Sequence, residues 1–477
     1  MRIKTILIGA TILLAAIGCK KQAENPVLSV SGGQIQGLQT DTEGVIVYRN
    51  VPYAAPPVGE LRWKEPQPVV PWKGVRQCTE FGYACPQPPH GKIGLYEKEF
   101  YFEGDPPFSE DCLYLNVWTP AAGKEDAKLP VALWIHGGAN IAGWGFEKEM
   151  DGEAWAERGV ILITINYRLG IYGSLAHPEL SAESPHNSSG LYGFLDQRAA
   201  ILWAKENIKA FGGDPDNITV FGQSAGAGSV MKLVTSPISK NLMSKAIIQS
   251  GGGYTLPAAK TNVAESKAAY EELGKKVMDF SGFTDLKKMR AASTEEIWSA
   301  HTSYVDEFGE WNIWRTAPDG YAITESFSEA VDDRTIADIP YMIGSCRDDS
   351  EGSIDRALAF GREFSSFSKN PVYVYQFARP LPGDESGAFH SSELWYTFGT
   401  LDRCWRTFTS GDYELSNYMI DCWTNFCKSG NPNGPKDGKW LPYARSTQGE
   451  CMVFNLDGND KENSGMGKPD QRVAPHF

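Results

Sequence analysis

The sequence predicts an α/β fold built around one large, mostly parallel sheet. Six nearly continuous apolar runs are typical of strands covered on both faces, and they begin at Val131, Gly159, Ile218, Lys245, Ile339 and Pro371. A helical segment separates the second run from the third, and alternating strands and helices favour such a layered sheet. The chain has 477 residues, 42% of them hydrophobic, which is enough to bury this sheet.

The N-terminus is typical of an export signal. Arg2 and Lys4 precede an apolar run over residues 6–18, which is too short to cross a membrane as a helix. The run ends in "AIGC", which resembles a bacterial lipobox and makes Cys19 the expected lipidated residue. We expect a signal peptide over 1–18, a lipidated tether over 19–26 and a single domain over 27–477. The exported protein would then be a lipoprotein of a bacterial cell envelope, with ordinary secretion as the alternative.

Two further elements frame the sheet. Residues 32–54 are rich in turn signals and predict antiparallel hairpins joined to the edge of the sheet. Residues 195–212 predict a helix that ends at Gly212, a good C-terminal cap. Its expected apolar face consists of Leu195, Ala199, Leu202 and Trp203.

The charge balance excludes some classes of partner. The formal net charge is −14 and the pI is about 5.1, which argues against nucleic acid because Lys and Arg supply most of that affinity. No cluster of His and Cys has the spacing of a zinc site, and we expect neither a metal nor a cofactor.

A serine between two glycines follows the third strand. In "ITVFGQSAGAGSV", Ser224 stands at the corner between that strand and a helix, where only small residues fit two positions away on either side. Gly222 and Gly226 supply that room. Such a corner lifts the hydroxyl into a cleft beyond the end of the strand, so Ser224 is a candidate nucleophile, although glycines also mark ordinary turns.

A serine hydroxyl needs a base, and the base needs a carboxylate on its other ring nitrogen. His390 lies in a polar loop after the sixth strand and is the candidate base. The turn after the fifth strand offers Asp348, Asp349 and Glu351 as candidate acids. "HGGAN" after the first strand places backbone N–H groups of Gly137, Gly138 and Ala139 where they can stabilise an oxyanion, together with that of Ala225.

These motifs resemble those of type-B carboxylesterases, the cholinesterase-like branch of the α/β-hydrolases. The resemblance runs from about residue 32 to about residue 433 and includes "SEDCLYLNVWTP", "HGGAN", "FGQSAGAGSV", "IIQSGG" and "GAFHSSEL". It implies an α/β-hydrolase fold with N-terminal antiparallel edge strands. It also implies a serine hydrolase that cleaves small-molecule carboxylic esters through an acyl-enzyme intermediate.

The resemblance assigns roles to individual residues. Ser224 matches the nucleophile and His390 the base, while the oxyanion donors match Gly138, Ala139 and Ala225. The family pattern Gly-x-Asn-x-Asp-Glu-Gly places Asp349 at the acid position when counted from Gly344 without a gap, and Glu351 is the alternative if two residues are inserted.

The resemblance also implies a disulfide between Cys85 and Cys112. The partners of the remaining cysteines cannot be assigned from the sequence, and these are Cys78, Cys346, Cys404, Cys422, Cys427 and Cys451.

Two departures from the family concern the substrate. Gln223 stands where cholinesterases have glutamate, which argues against specific binding of choline esters. Only 41 positions separate Asp349 from His390, so we expect a trimmed roof and a more open cleft than in larger relatives.

An acetyl or feruloyl carbohydrate ester is the alternative substrate, because tryptophan side chains could stack on sugars or phenolics; the candidates are Trp144, Trp311, Trp314 and Trp395. A noncatalytic binding protein is a weaker alternative, because the chain keeps all three residue types of a catalytic triad.

Overall fold

A computed structural model describes residues 25–91, 93–256, 261–309, 313–435, 438–444 and 449–470. The predicted signal peptide and Cys19 lie outside these residues, as do Trp311 and most of the predicted tether. None of the helices in the described ranges combines the length and the apolar character that a membrane span needs.

Fourteen strands lie in the described part of the chain. They are β1 Val27–Val30, β2 Gly33–Gln36, β3 Leu38–Gln39, β4 Ile46–Pro52, β5 Val75–Gln77, β6 Tyr114–Thr119, β7 Leu129–Ile135, β8 Ile161–Ile165, β9 Gly213–Gln223, β10 Lys245–Gln249, β11 Tyr341–Cys346, β12 Val372–Phe377, β13 Cys451–Phe454 and β14 Gly465–Gly467. All six predicted apolar runs form strands (β7 to β12), with starts that differ from the predicted ones by at most five residues.

The main sheet has eleven strands in the order β14-β13-β12-β11-β10-β9-β7-β8-β6-β4-β3. Its centre from β8 to β13 is parallel, while β14 on one edge and β6, β4 and β3 on the other are antiparallel. The predicted parallel sheet with antiparallel edge strands is therefore confirmed.

The predicted hairpins divide between two sheets. β3 and β4 join the edge of the main sheet, as expected. β2 instead pairs with β1 and β5 in a separate three-stranded sheet. Turn signals in the sequence separate these strands, but they do not reveal which strands pair.

Alternate side chains of β7 show why the central strands are apolar throughout. Val131, Leu133 and Ile135 face one hydrophobic cluster, and Ala132 and Trp134 face another on the opposite side of the sheet. Both faces are covered by helices, so a strand here has no solvent side that would require polar residues.

Thirteen α-helices lie in the described residues. They are α1 Leu95–Glu99, α2 Glu153–Glu157, α3 Gly170–Ser174, α4 Pro178–Glu183, α5 Tyr192–Asn207, α6 Ala225–Thr235, α7 Val263–Phe280, α8 Leu286–Ala291, α9 Thr294–Phe308, α10 Phe327–Asp332, α11 Ser353–Phe364, α12 Leu394–Phe398 and α13 Ser410–Ser429. Short 3-10 turns cover Gly59–Leu61, Glu125–Ala127, Ile208–Phe211 and Leu401–Arg403.

The predicted helix over 195–212 corresponds to α5 and the 3-10 turn after it. Gly212 caps the turn in the left-handed conformation, with a φ of 86°. One predicted member of its apolar face is wrong, because Leu202 is 37% exposed while Ile201 and Trp203 are buried.

The strand order reverses beside β7. This strand pairs with β8 on one side and β9 on the other, both in parallel. The loops that leave the carboxyl ends of β7 and β9 therefore separate and leave a crevice, the usual place for a ligand in an open α/β sheet.

Candidate active site

Ser224 lies in a strained turn between β9 and α6. Its φ of 55° and ψ of −123° are unusual for a residue with a side chain. A Cβ at Gly226 would lie 2.0 Å from the Ile135 carbonyl oxygen, and one at Gly222 would lie 2.6 Å from the backbone of Gly226. The prediction that only small residues fit on both sides of Ser224 is confirmed, because the backbone lies in direct contact at both glycines.

Three backbone N–H groups surround the mouth of the crevice. The loop after β7 holds Gly138 and Ala139 at positive φ angles of 90° and 54°, while Ala225 is the first residue of α6. Within the described part of the chain, the N–H groups of these three residues have no hydrogen-bond acceptor. Ala139 and Ala225 line one cleft together with Ser224, so these donors are available to an oxygen bound there.

His390 faces the same cleft and is bound to Asp349. Its Nδ1 lies 3.0 Å from Asp349 Oδ1, and the two elements that carry them are joined by a parallel bridge between Asp348 and Phe389. Asp348 reinforces this joint, because its Oδ2 accepts the Ala388 N–H at 2.7 Å. The turn after β11 therefore holds the histidine loop at two adjacent positions.

The electrostatics of the pair favour a charged imidazolium. Burial alone would lower the pKa of His390, but the Asp349 carboxylate and its hydrogen bond raise the pKa above its usual value. Burial would likewise raise the pKa of Asp349, and His390 reverses that effect and lowers it. An acid that stays ionised beside a basic ring is the arrangement that stabilises a proton taken from a serine.

The geometry separates the two candidate acids. Asp349 is 6% exposed and contacts His390, whereas Glu351 is exposed and offers its carbonyl oxygen to the Arg356 side chain at 3.0 Å. Asp349 is therefore the carboxylate that the structure brings to the imidazole.

Three residues behind the imidazole, Ser250, Cys346 and Glu393, were not predicted from the sequence to belong to the site. Glu393 is fully buried, and its two oxygens accept from Ser250 Oγ at 3.4 Å and from Cys346 Sγ at 2.7 Å. Burial raises the pKa of Glu393. The Ser250 hydroxyl in turn contributes to the lowered pKa of Asp349. Ser250 lies in "IIQSGG" and Glu393 in "GAFHSSEL", and their position in these motifs is the signal in the sequence that points to them.

Gln223 lies against the other nitrogen of His390. Its Nε2 is 3.2 Å from His390 Nε2, so the amide can donate to that nitrogen when Nδ1 carries the ring proton. Among the described residues, Ser224 Oγ makes no hydrogen bond. The serine and the ring share a cleft of about 780 Å³, which is open to solvent.

The matches to known proteins agree with this geometry. The model of the "Carboxylesterase family" matches residues 24–360 and 356–471. The chain belongs to the carboxylesterase family. It is accordingly a carboxylic ester hydrolase with the α/β-hydrolase fold.

Named relatives cover almost the whole chain. A fumonisin B1 esterase from Sphingopyxis macrogoltabida is 31% identical over 99% of this chain and 93% of its own. A para-nitrobenzyl esterase from Bacillus subtilis (strain 168) is 33% identical over 93% of this chain and 98% of its own. The solved structure of a thermophilic PNB esterase has a TM-score of 0.77 at 28% identity, and covers 93% of this chain and 98% of that one.

Three tryptophans of this carboxylesterase lie in its core rather than at a sugar-binding surface. Trp144, Trp314 and Trp395 are at most 5% exposed. Trp314 donates to His301 Nδ1 at 2.7 Å, and Trp395 donates to Glu99 Oε1 at 2.9 Å. The alternative role of these three in stacking on a sugar or phenolic is wrong, because their side chains are buried inside the protein.

Cys85 and Cys112 of the carboxylesterase are thiols in this structure, not the expected disulfide. Both are buried, and a hydrogen bond with Cys85 is the main cause of the raised pKa of Cys112. The two side chains are thus neighbours, as a disulfide between them would require, and the bond stays a prediction.

Proposed function

We propose that Ser224, His390 and Asp349 form the catalytic triad of this carboxylesterase. The observation that carries the proposal is the 3.0 Å contact between His390 Nδ1 and Asp349 Oδ1, with the ring at the wall of the cleft that contains Ser224. That contact keeps the ring proton on Nδ1 and leaves Nε2 as the proton acceptor.

The first half of the reaction forms an acyl-enzyme. His390 Nε2 takes the hydroxyl proton as Ser224 Oγ attacks the ester carbonyl carbon. The N–H groups of Gly138, Ala139 and Ala225 donate to the oxyanion of the tetrahedral intermediate. The carbon–oxygen bond to the leaving group then breaks, and His390 returns the proton to the departing alcohol.

The second half repeats the chemistry with water. His390 removes a proton from a water molecule, and the water oxygen attacks the acyl carbon. The bond from that carbon to Ser224 Oγ then breaks, His390 returns the proton to Oγ, and the carboxylic acid leaves. For this cycle, the contact between the Gln223 amide and His390 Nε2 must break when substrate binds, so that Nε2 can accept the proton of Ser224. Catalytic hydrogen bonds often form only in the substrate complex, so the resting contact is compatible with the mechanism.

Replacing Ser224 with alanine tests the proposal. Turnover of 4-nitrophenyl hexanoate should fall by roughly 10⁴- to 10⁶-fold in kcat, and labelling by a fluorophosphonate probe should disappear. Ser244→Ala is a matched control, because Ser244 precedes β10 at the opposite end of the strands and its Oγ donates to the Ile218 carbonyl at 3.0 Å. Near-normal turnover by the Ser224 variant would refute the triad.

We also propose that the enzyme is exported and anchored by a lipid on Cys19. The apolar run, the two preceding cations and the "AIGC" sequence support this. Labelling with radioactive palmitate should mark the full-length protein and leave a Cys19→Ala variant unlabelled and released from the membrane fraction. A membrane-bound Cys19→Ala variant would contradict the proposal.

An oxidising compartment would join Cys85 to Cys112. The loop of about 28 residues would stabilise the protein by roughly 3–4 kcal/mol in the chain-entropy account. Alkylation of the denatured exported protein should leave both cysteines unmodified until a reductant is added, and alkylation without reductant would exclude the bond.

A further inference from the structure

The catalytic cleft of this acidic protein is lined by cations. Lys232, Arg315 and Arg356 share the cleft with Ser224 and His390. No Asp or Glu is among the described residues that line it. This contrasts with the whole chain, which has 59 acidic residues against 45 Lys and Arg. The positive charge is therefore a local property of the cleft.

Neutral groups hold two of the three cations. Arg356 on α11 donates to the Glu351 carbonyl oxygen at 3.0 Å and to Ser353 Oγ at 3.2 Å. Lys232 on α6 donates to the hydroxyl of Thr316. The side chain of Arg315 is exposed and makes no hydrogen bond or ion pair within the described ranges. Among the described residues, no carboxylate pairs with any of the three.

The positive charge of Lys232 is not balanced by a neighbouring carboxylate in the described part of the chain. Burial lowers the pKa of Lys232 to about 8, and no carboxylate opposes this effect. A half-buried ammonium without an anionic partner is costly, and a bound anion would restore part of the solvation that burial removed. The two arginines line the same cleft from two other segments of the chain.

Among the described residues, the remaining wall of the cleft offers neutral hydrogen-bond donors and no negatively charged group. Thr255 and Tyr270, which carry hydroxyl groups, line the cleft, as do Gly251 and Gly252. These groups can donate to an anionic oxygen without bringing an opposing negative charge. Charge-assisted hydrogen bonds from Arg and Lys to a carboxylate are stronger than bonds between neutral groups.

We propose that this carboxylesterase is specific for esters that carry a free carboxylate, such as monoesters of dicarboxylic acids. The proposal rests on the catalytic role of Ser224, because the cations have this meaning only if the ester reacts in that cleft. Lys232, Arg315 and Arg356 are the specificity-determining residues. They hold the substrate carboxylate while Ser224 attacks its ester carbonyl.

Two matched pairs of esters test the proposal on the intact enzyme. The mono-4-nitrophenyl ester of adipic acid and 4-nitrophenyl hexanoate share the leaving group and the acyl length, and differ in a terminal carboxylate. The 3-carboxyphenyl and 3-(methoxycarbonyl)phenyl esters of hexanoic acid place the same difference on the alcohol side. The first pair reports a carboxylate site on the acyl side and the second reports one on the alcohol side.

We expect kcat/KM for the charged member of one pair to exceed that of its neutral partner by about tenfold or more at low ionic strength. The ratio should fall as NaCl is raised to about 0.5 M, because salt screens exposed charges. Arg315→Gln, Arg356→Gln and Lys232→Gln should each reduce the ratio by about three- to tenfold. Arg362→Gln should leave it unchanged, because Arg362 lies on α11 outside the cleft and pairs with Glu363 at 2.8 Å.

Hydrolysis of the neutral esters with no preference in either pair overturns the proposal and leaves the triad intact. A preference that survives all three substitutions also overturns it. If wild-type enzyme hydrolyses none of the four esters, or if Ser224→Ala hydrolyses them as fast as wild type, the failure lies in the proposed triad itself.

Discussion

Replacing Asp349 with asparagine removes a charge from the His390 pair and leaves the shape of the side chain almost unchanged. Asp349 is 6% exposed and its Oδ1 is 3.0 Å from His390 Nδ1. When the ring gains a proton in the transition state, two opposite charges lie about 4 Å apart, which is worth about 4 kcal/mol at an effective dielectric constant of about 20.

That energy sets the expected loss. At 1.36 kcal/mol per factor of ten, about 4 kcal/mol corresponds to a decrease of roughly 10³-fold in kcat. The asparagine amide can also donate to Nδ1 and favour the wrong tautomer, which would extend the loss towards about 10⁴-fold. Glu351→Gln is the matched control and should remain within about twofold of wild type, because Glu351 is exposed and only its backbone contacts Arg356.

A pH profile distinguishes this loss from misfolding. The base must be neutral, so the wild-type rate rises as pH increases through the raised pKa of His390. Without the carboxylate, burial lowers that pKa, and the acidic limb should move to lower pH while the plateau falls. Kinetics on 4-nitrophenyl hexanoate from about pH 4 to 9 measure both. An unmoved limb with normal turnover, or a larger loss in Glu351→Gln, would refute the assignment of the acid.

Three further predictions concern the scaffold. Gly226→Ala should lower the unfolding midpoint and abolish turnover, because its Cβ would lie 2.0 Å from the Ile135 carbonyl oxygen. Gly228→Ala should stabilise α6 by about 0.5–1 kcal/mol, because nothing lies within 4 Å of its added Cβ. A thermal melt that ranks the two variants in the opposite order would contradict the close contacts of the turn at Ser224. Burial raises the pKa of Glu147 to about 7, so its contribution to the free energy of unfolding is full below its ordinary pKa near 4.5 and is lost as pH rises through 7. The stability of Glu147→Gln relative to wild type should therefore be greater at pH 8 than at pH 5. An equal difference in stability at both pH values would argue against this. Thr409→Ala removes the capping box of α13 and should cost about 1 kcal/mol in chemical denaturation, and an unchanged midpoint would contradict the cap.

The local patterns of the sequence determined the sheet and the tight turn that carries Ser224. Strands such as β7 are apolar at every position because helices cover both faces, and this pattern can be read without knowing which helices do so. The glycines around Ser224 are required by contacts within a few residues of the turn. Such short-range constraints leave a clear pattern in the order of residues.

The tertiary structure decided which residues far apart in the sequence contact each other. The choice of Asp349 over Glu351 depends on the path of one loop against another. The network behind His390 joins residues from three distant segments, and Cys346 carries no local sign that its thiol meets Glu393. Burial of the tryptophans likewise depended on packing that no single motif encodes.

The cationic cleft shows the same division. The sequence by itself determined a net charge of −14 and an esterase motif, and from these the charge beside Ser224 could not be deduced. Lys232, Arg315 and Arg356 come from a helix, a loop and another helix, and they line one cleft only when the chain folds. Electrostatic fields depend on distance in space rather than along the chain, so the order of residues leaves such a cluster hidden until the fold is known.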